Sequence, residues 1–124
     1  MSKTADLRKL ITAQLNTLDG ETYYRIASDS ASYPYKTFVL SRVSLEDLSR
    51  DDFELCIDLW DKGPDMKAIE EIADQIETLF SAANMPNETI LPTFFRENRY
   101  PVDEQDKDLQ HIQMNVLIQM YENK

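Results

Sequence analysis

The sequence predicts an α+β domain in which a mainly antiparallel sheet of four to five strands carries two helices, in the order α-β-β-β-α-β-β. Three observations point there. Residues 65–83 repeat apolar side chains every three to four positions, as one buried face of a helix does. Residues 53–60 and 110–121 alternate apolar and polar side chains, as strands with one buried face do. Short connections join successive strands, which favours antiparallel neighbours over parallel crossovers.

The first element is ADLRKLITAQLNTL, residues 5–18, which sets Leu7, Leu10, Ile11, Leu15 and Leu18 at helical spacing behind the capping candidates Ser2 and Thr4. Asp19-Gly20 is expected to end this helix. YYRIA (23–27) and YKTFVLSRV (35–43) are rich in β-branched and aromatic residues and flank SDSASYP, so two strands and a loop are predicted. The connection LEDLSRDD leads into FELCIDLW, where Phe53, Leu55, Ile57 and Leu59 alternate with Glu54, Cys56, Asp58 and Trp60. DKGPD follows, with Pro64 placed as a first helical residue. Met66, Ile69, Ile72, Ala73, Ile76, Leu79, Phe80 and Ala83 then define the second helix, and NMPNE closes it. TILPTFFRENRY (89–100) has strand-forming residues with Pro92 inside it, so it belongs at a sheet edge or holds a bulge. PVDEQDKD connects it to the last strand.

A chain of 124 residues makes one domain, residues 1–124, large enough to bury a core without a disulfide or a metal. No run approaches the roughly 20 apolar residues that a bilayer span needs, and MSKTADLRKL lacks the apolar centre of a signal peptide. A protein that stays where it is made, away from membranes, is expected. The lone cysteine, Cys56, excludes an internal disulfide and a multi-cysteine zinc site. Thirteen basic against 23 acidic residues give a net charge of −10, and no basic cluster stands out. Tight DNA or RNA binding is disfavoured, because such binding draws most of its affinity from Lys and Arg on phosphates.

Catalytic chemistry has little to work with. One histidine, His111, and Cys56 are the available acid-base and nucleophilic groups, and Cys56 sits mid-strand where a small half-buried thiol is the ordinary explanation. The acidic run DEQDKD (103–108) superficially matches a calcium loop but lacks both the turn glycine and a suitably spaced glutamate. Gly20 and Gly63 are the only glycines, so no glycine-rich phosphate loop can form. No enzyme activity, cofactor or metal is expected.

The last strand poses a sharper question. In HIQMNVLIQM, residues 111–120, Ile112, Met114, Val116, Ile118 and Met120 point one way and explain themselves as core. His111, Gln113, Asn115, Leu117 and Gln119 point the other way, and this set holds no carboxylate or ammonium in a chain that is 29% charged. Neutral amides are buried, with their hydrogen bonds paired, at lower cost than charges. That side is therefore expected to face either another part of the chain or another subunit, and to be left for a neighbour if the second helix covers the Ile112 side. RENRY, with Arg96, Arg99 and Tyr100, is the second candidate for a partner surface, since Arg and Tyr carry much interface energy. The competing explanation for Trp60, Phe94, Phe95 and Tyr100 is that they close the ends of the core.

With this order of elements, the chain resembles the tail-completion or tail-terminator proteins of long-tailed bacteriophages and prophages, a head-to-tail joining family. The resemblance runs over nearly the whole chain: the N-terminal helix before YPYKTFVL, the strand FELCIDLWDKG leading into IEEIADQIETLF, and the terminal pair carried by LPTFFRENRYPVDEQDKDLQHIQMNVLIQMYE. Residues 53–80 are its most characteristic part. The family has no catalytic residues to carry over. The resemblance implies a homo-oligomer, a hexameric ring on the head-proximal end of the tail tube, that ends tube polymerisation and docks to the head-tail connector protein. It places the protein in the virion neck, after assembly in the bacterial cytoplasm. Its partners would be the tail tube protein and the connector, while DNA passes through without specific binding. On this reading His111, Gln113, Asn115 and Gln119, with Arg96, Arg99 and Tyr100, contribute the subunit or partner contacts. Glu46, Asp47, Asp51, Asp52, Asp103, Glu104 and Asp106 form acidic loops around a lumen that repels phosphate. Two rivals remain: another neck or head-completion protein, and an acidic protein that mimics DNA charge to engage a host nucleic-acid enzyme.

Overall fold

The computed structural model describes residues 3–44, 50–80, 86 and 89–122. Among these, two helices and five strands follow in the order α1 (Lys3–Leu15), β1 (Glu21–Tyr24), β2 (Tyr35–Ser44), β3 (Arg50–Lys62), α2 (Lys67–Leu79), β4 (Ile90–Pro101) and β5 (Leu109–Glu122). The strands form one sheet in the order β1-β2-β3-β5-β4. The architecture is α+β, and the β2–β3, β3–β5 and β4–β5 pairs are antiparallel.

The β1–β2 pair departs from the expected meander. It is parallel, with Glu21 beside Tyr35 and Tyr24 beside Phe38. Residues 25–34 carry the chain back to the start of β1, so β2 sets out in the same direction. Strand β1 also stops earlier than YYRIA suggested, because Arg25 takes a left-handed conformation (φ 71°) that breaks the extended run. Gly20 makes the return possible. Its φ is 85°, and a Cβ there would lie 2.9 Å from the Pro34 carbonyl oxygen.

Helix boundaries shift for local reasons. Helix α1 ends at Leu15 and contains Thr4, which therefore does not cap it. Tighter turn bonds, Thr17 N–H to the Gln14 carbonyl (3.2 Å) and Leu18 N–H to the Leu15 carbonyl (3.1 Å), then bring Leu18 against the core without continuing the helix. At α2, Pro64 lies outside the helix, which starts at Lys67. Asp65 accepts the Lys67 N–H at 3.1 Å and holds the preceding residues out of the helical path. Ser2 and Ala83 lie outside the described residues.

Both helices pack on one face of the sheet. Leu7, Ile11 and Leu15 of α1 and Ile69, Ile72, Ala73 and Ile76 of α2 join Phe53, Leu55, Ile57 and Leu59 of β3 in a single core. Ile112, Met114, Val116, Ile118 and Met120 complete it, so the alternation of β5 resolves as expected. Strand β4 is an edge strand, holds Pro92, and has an irregular register between Arg96 and Asn98.

One polar residue sits on the core face unannounced. Lys36 stands opposite Leu59 and is fully buried beneath the turn after α1. Its Nζ donates to the Asp19 carbonyl at 2.6 Å and the Gly20 carbonyl at 2.5 Å. Burial pushes this ammonium down to about 8, with the Asp19 charge pulling the other way. The bonds satisfy carbonyls that the turn leaves without partners.

Candidate functional site

The opposite face of the sheet has no helix on it among the described residues, and it is where the puzzling side of β5 lies. Register fixes its composition: Trp60 faces His111, Asp58 faces Gln113, Cys56 faces Asn115, Glu54 faces Leu117 and Asp52 faces Gln119. On the outer side of β5, Phe95 pairs with Leu117, Asn98 with Asn115 and Tyr100 with Gln113.

His111 is the most tightly held group there. Its Nε2 lies 2.6 Å from Asp58 Oδ1 and its Nδ1 lies 2.8 Å from Glu104 Oε1. The Trp60 ring stacks on it at 3.8 Å with 13° between planes. Burial alone would lower the imidazole pKa, but the hydrogen bonds and charges of Asp58 and Glu104 outweigh it and hold the pKa above 6.5. With a carboxylate at each nitrogen, the protonated imidazole is favoured, and both nitrogens are engaged in hydrogen bonds.

The amides are cross-linked sideways. Gln113 Nε2 donates to Cys56 Sγ at 3.0 Å, and the Tyr100 hydroxyl donates to Gln113 Oε1. Asn115 Nδ2 donates to Asn98 Oδ1 at 2.6 Å. These bonds run across β3, β5 and β4, so the uncharged row stitches the sheet while remaining half-exposed. Gln119 is also half-buried on this face. Burial, then the nearby Asp58, pushes the Cys56 thiol up to about 11, a poor state for a nucleophile.

Apolar surface accompanies the amides. Leu91, Phe95, Tyr100 and Tyr121 are 38–43% exposed and share this face by register. Large side chains left open beside satisfied amides are typical of protein contact surfaces.

The RENRY stretch is divided between the two faces. Arg96 and Arg99 pair in register with Val116 and Met114, on the helix side. There Arg99 bonds Asp74 at 2.7 Å and also Glu77, and Arg96 reaches Glu77 at 3.5 Å, so both clamp β4 to α2. Tyr100 joins the open face beside Gln113, as does Asn98 beside Asn115. A cleft of about 310 Å³ at the bulge is lined by Ile76, Glu77, Arg96, Glu97, Arg99 and Val116, and Glu77 already pairs with both arginines there.

The acidic positions also separate. Glu46 and Asp47 lie outside the described residues. Asp51 and Asp52 belong to β3 and not to a loop. Asp51 turns inward, where Lys3 at 3.1 Å and Arg42 at 3.8 Å neutralise it, and Asp52 pairs with Arg50 at 2.9 Å. These bonds allow the strand to begin three residues before the apolar alternation does. Asp103, Glu104 and Asp106 do lie in the β4–β5 connection, with Glu104 committed to His111 and Asp106 lying 3.9 Å from Lys62.

Two carboxylates of the open face escaped the sequence reading. Glu54 hydrogen-bonds Glu97 across β5, and burial followed by that contact pushes the Glu54 carboxyl up to about 7. The irregular register between Arg96 and Asn98 brings Glu97 there, and alternation alone does not reveal such an irregularity. Among the described residues, no three His, Cys, Asp or Glu side chains are grouped to hold a metal, and no helix is long and apolar enough to cross a membrane.

No protein-family model matches the chain, and no curated protein matches it. Among solved structures, a chain of the virion of a native gene transfer agent (GTA) particle superposes with a TM-score of 0.70, covering 90% of this chain and 84% of that one at 9% identity. At that identity the likeness is one of fold: this two-helix, five-stranded body is similar to one built into a virion.

Proposed function

We propose that the chain is a structural virion assembly protein that closes into a ring, six subunits in the tail-terminator reading, on the head-proximal end of a phage or prophage tail tube. It ends tube polymerisation and joins the tail to the head connector. The open sheet face carries this reading: one side of the sheet is covered by both helices, while the other offers bonded amides and exposed aromatics to a neighbour. The fold shared with a virion chain supports it. The reading is non-enzymatic, because the thiol is held protonated and both imidazole nitrogens are engaged.

A ring of this kind is heterologous, each subunit giving one patch and receiving another. The net charge of −10, with Asp103 and Asp106 in an exposed connection, suits a lumen through which a duplex slides without adhering. The test is to add the purified chain to tail tubes taken from particles that lack it. A terminator stops elongation and appears as a cap on one end of each tube in electron micrographs. A chain that binds heads and ignores tubes is a different neck component, and one that binds neither contradicts the assembly reading.

A further inference from the structure

Charge is segregated between the two layers of the molecule. Within the described strands, Arg50 and Lys62 are the only Arg or Lys residues whose register places them on the open face, near the two ends of β3. Arg50 pairs with Asp52 at 2.9 Å, and Lys62 lies 3.9 Å from Asp106. The other strand cations, Lys36, Arg42, Arg96 and Arg99, are in register with core residues. Glu54 therefore sits near the middle of the face hydrogen-bonded to Glu97, and by register none of the described strands sets a cation directly beside Glu54 on that face. Burial first, and then the hydrogen bond and charge of Glu97, push the Glu54 carboxyl up to about 7, a cost that an incoming cation would relieve.

The matching cations are on the far side of the same chain. Helix α1 carries Lys3, Arg8 and Lys9 against a single carboxylate, Asp6, in a protein of net charge −10. Arg8 and Lys9 are adjacent and exposed, and neither has a carboxylate partner among the described residues. Arg8 lies over the Tyr24 ring at 5.0 Å, which steadies the guanidinium without neutralising it. Because α1 packs on the core face, these cations and the Glu54–Glu97 pair belong to opposite layers of one subunit.

Opposite patches on opposite layers are what head-to-tail association requires, since each copy can then give one and receive the other. We propose that copies of this chain associate with the exposed flank of α1 of one copy, at Arg8 and Lys9, seated on the open sheet face of the next, at Glu54 and Glu97. Phe95 and Tyr100 beside that pair supply the apolar area, and the charges set the register. The proposal rests on the ring reading and names its two contact patches.

Charge exchange tests it on the full chain. Arg8→Glu with Lys9→Glu, and Glu54→Lys with Glu97→Lys, are each expected to weaken self-association by at least about tenfold in sedimentation and to abolish capping of tubes. An equimolar mixture of the two variants restores both, as an alternating ring with an even number of subunits. Carbodiimide treatment of the unaltered chain at low salt is expected to join Lys9 of one copy to Glu54 or Glu97 of another, a readout that needs no variant to fold. If unaltered chains cap tubes, yet no such cross-link forms and both variants cap equally well, the interface is wrong and the ring reading stands. If the cross-link forms but tubes grow on uncapped, the interface stands and the tail role falls. A chain that neither cross-links to itself nor caps tubes overturns both.

Discussion

Along β3 and β5, neighbouring residues lead opposite lives. Ile57 and Met114 stand side by side under the helices, almost fully buried, while Cys56 and Asn115, one position away in each strand, face out between amides and carboxylates. The first face is held by area and shape, the second by directed hydrogen bonds and charge. A strand thus presents two chemistries with a period of two, and only one of them is needed to fold. What the second is for becomes a question about neighbours.

The comparison implies that core changes act on stability and open-face changes act mainly on association. Phe94, fully buried against Phe80, is the strongest case. Phe94→Ala is expected to cost about 3–5 kcal/mol in urea unfolding, with loss of assembly following only from loss of fold. A cost below about 1 kcal/mol would mean that the core is not organised around that contact.

Titration of the open face comes next. His111 keeps its proton more tightly when folded than when unfolded, so its contribution is present in full below 6.5 and is lost as pH rises through the higher folded value. Glu54, raised from 4.5 to about 7, acts in the same direction at lower pH: the folded chain loses stability as pH rises through about 7. Denaturation midpoints should therefore fall from pH 5 to pH 8. Glu54→Gln should flatten the lower part of that fall, and His111→Gln the part above 6.5. A profile unchanged by either substitution would contradict the arrangement of Asp58, Glu104 and Glu97 around them.

Smaller effects sharpen the contrast. Asn115→Ala removes the bond to Asn98 and is expected to cost about 1 kcal/mol, with a larger proportional loss of tube capping. Equal losses in both assays would mean that the row serves the fold alone. Lys62→Ala, at an exposed 3.9 Å contact with Asp106, should change the unfolding free energy by less than about 0.5 kcal/mol.

Where burial follows periodicity, the sequence was readable. The apolar residues of β3, α2 and β5 predicted which side of each would be covered, and Pro92 correctly marked an edge. Features that depend on a tertiary neighbour were not readable. Asp51 enters a strand because Lys3 and Arg42 meet it, and Lys36 is buried because two turn carbonyls do. The parallel β1–β2 pair depends on a return loop, and the place of Glu97 beside Glu54 on a register irregularity in β4. Neither leaves a period in the chain. For the candidate surface, alternation placed His111, Gln113 and Asn115 on one side, but only the folded register of β4 separates Tyr100 from Arg96 and Arg99.

Electron cryo-microscopy of tail tubes incubated with this chain addresses the central claim most directly. A single closed ring is expected at one end of each tube, with the sheet surface around Trp60, Gln113 and Phe95 occupied by the adjacent subunit. Bare tube ends, or a bound chain whose helix-free surface looks into solvent, would contradict the account.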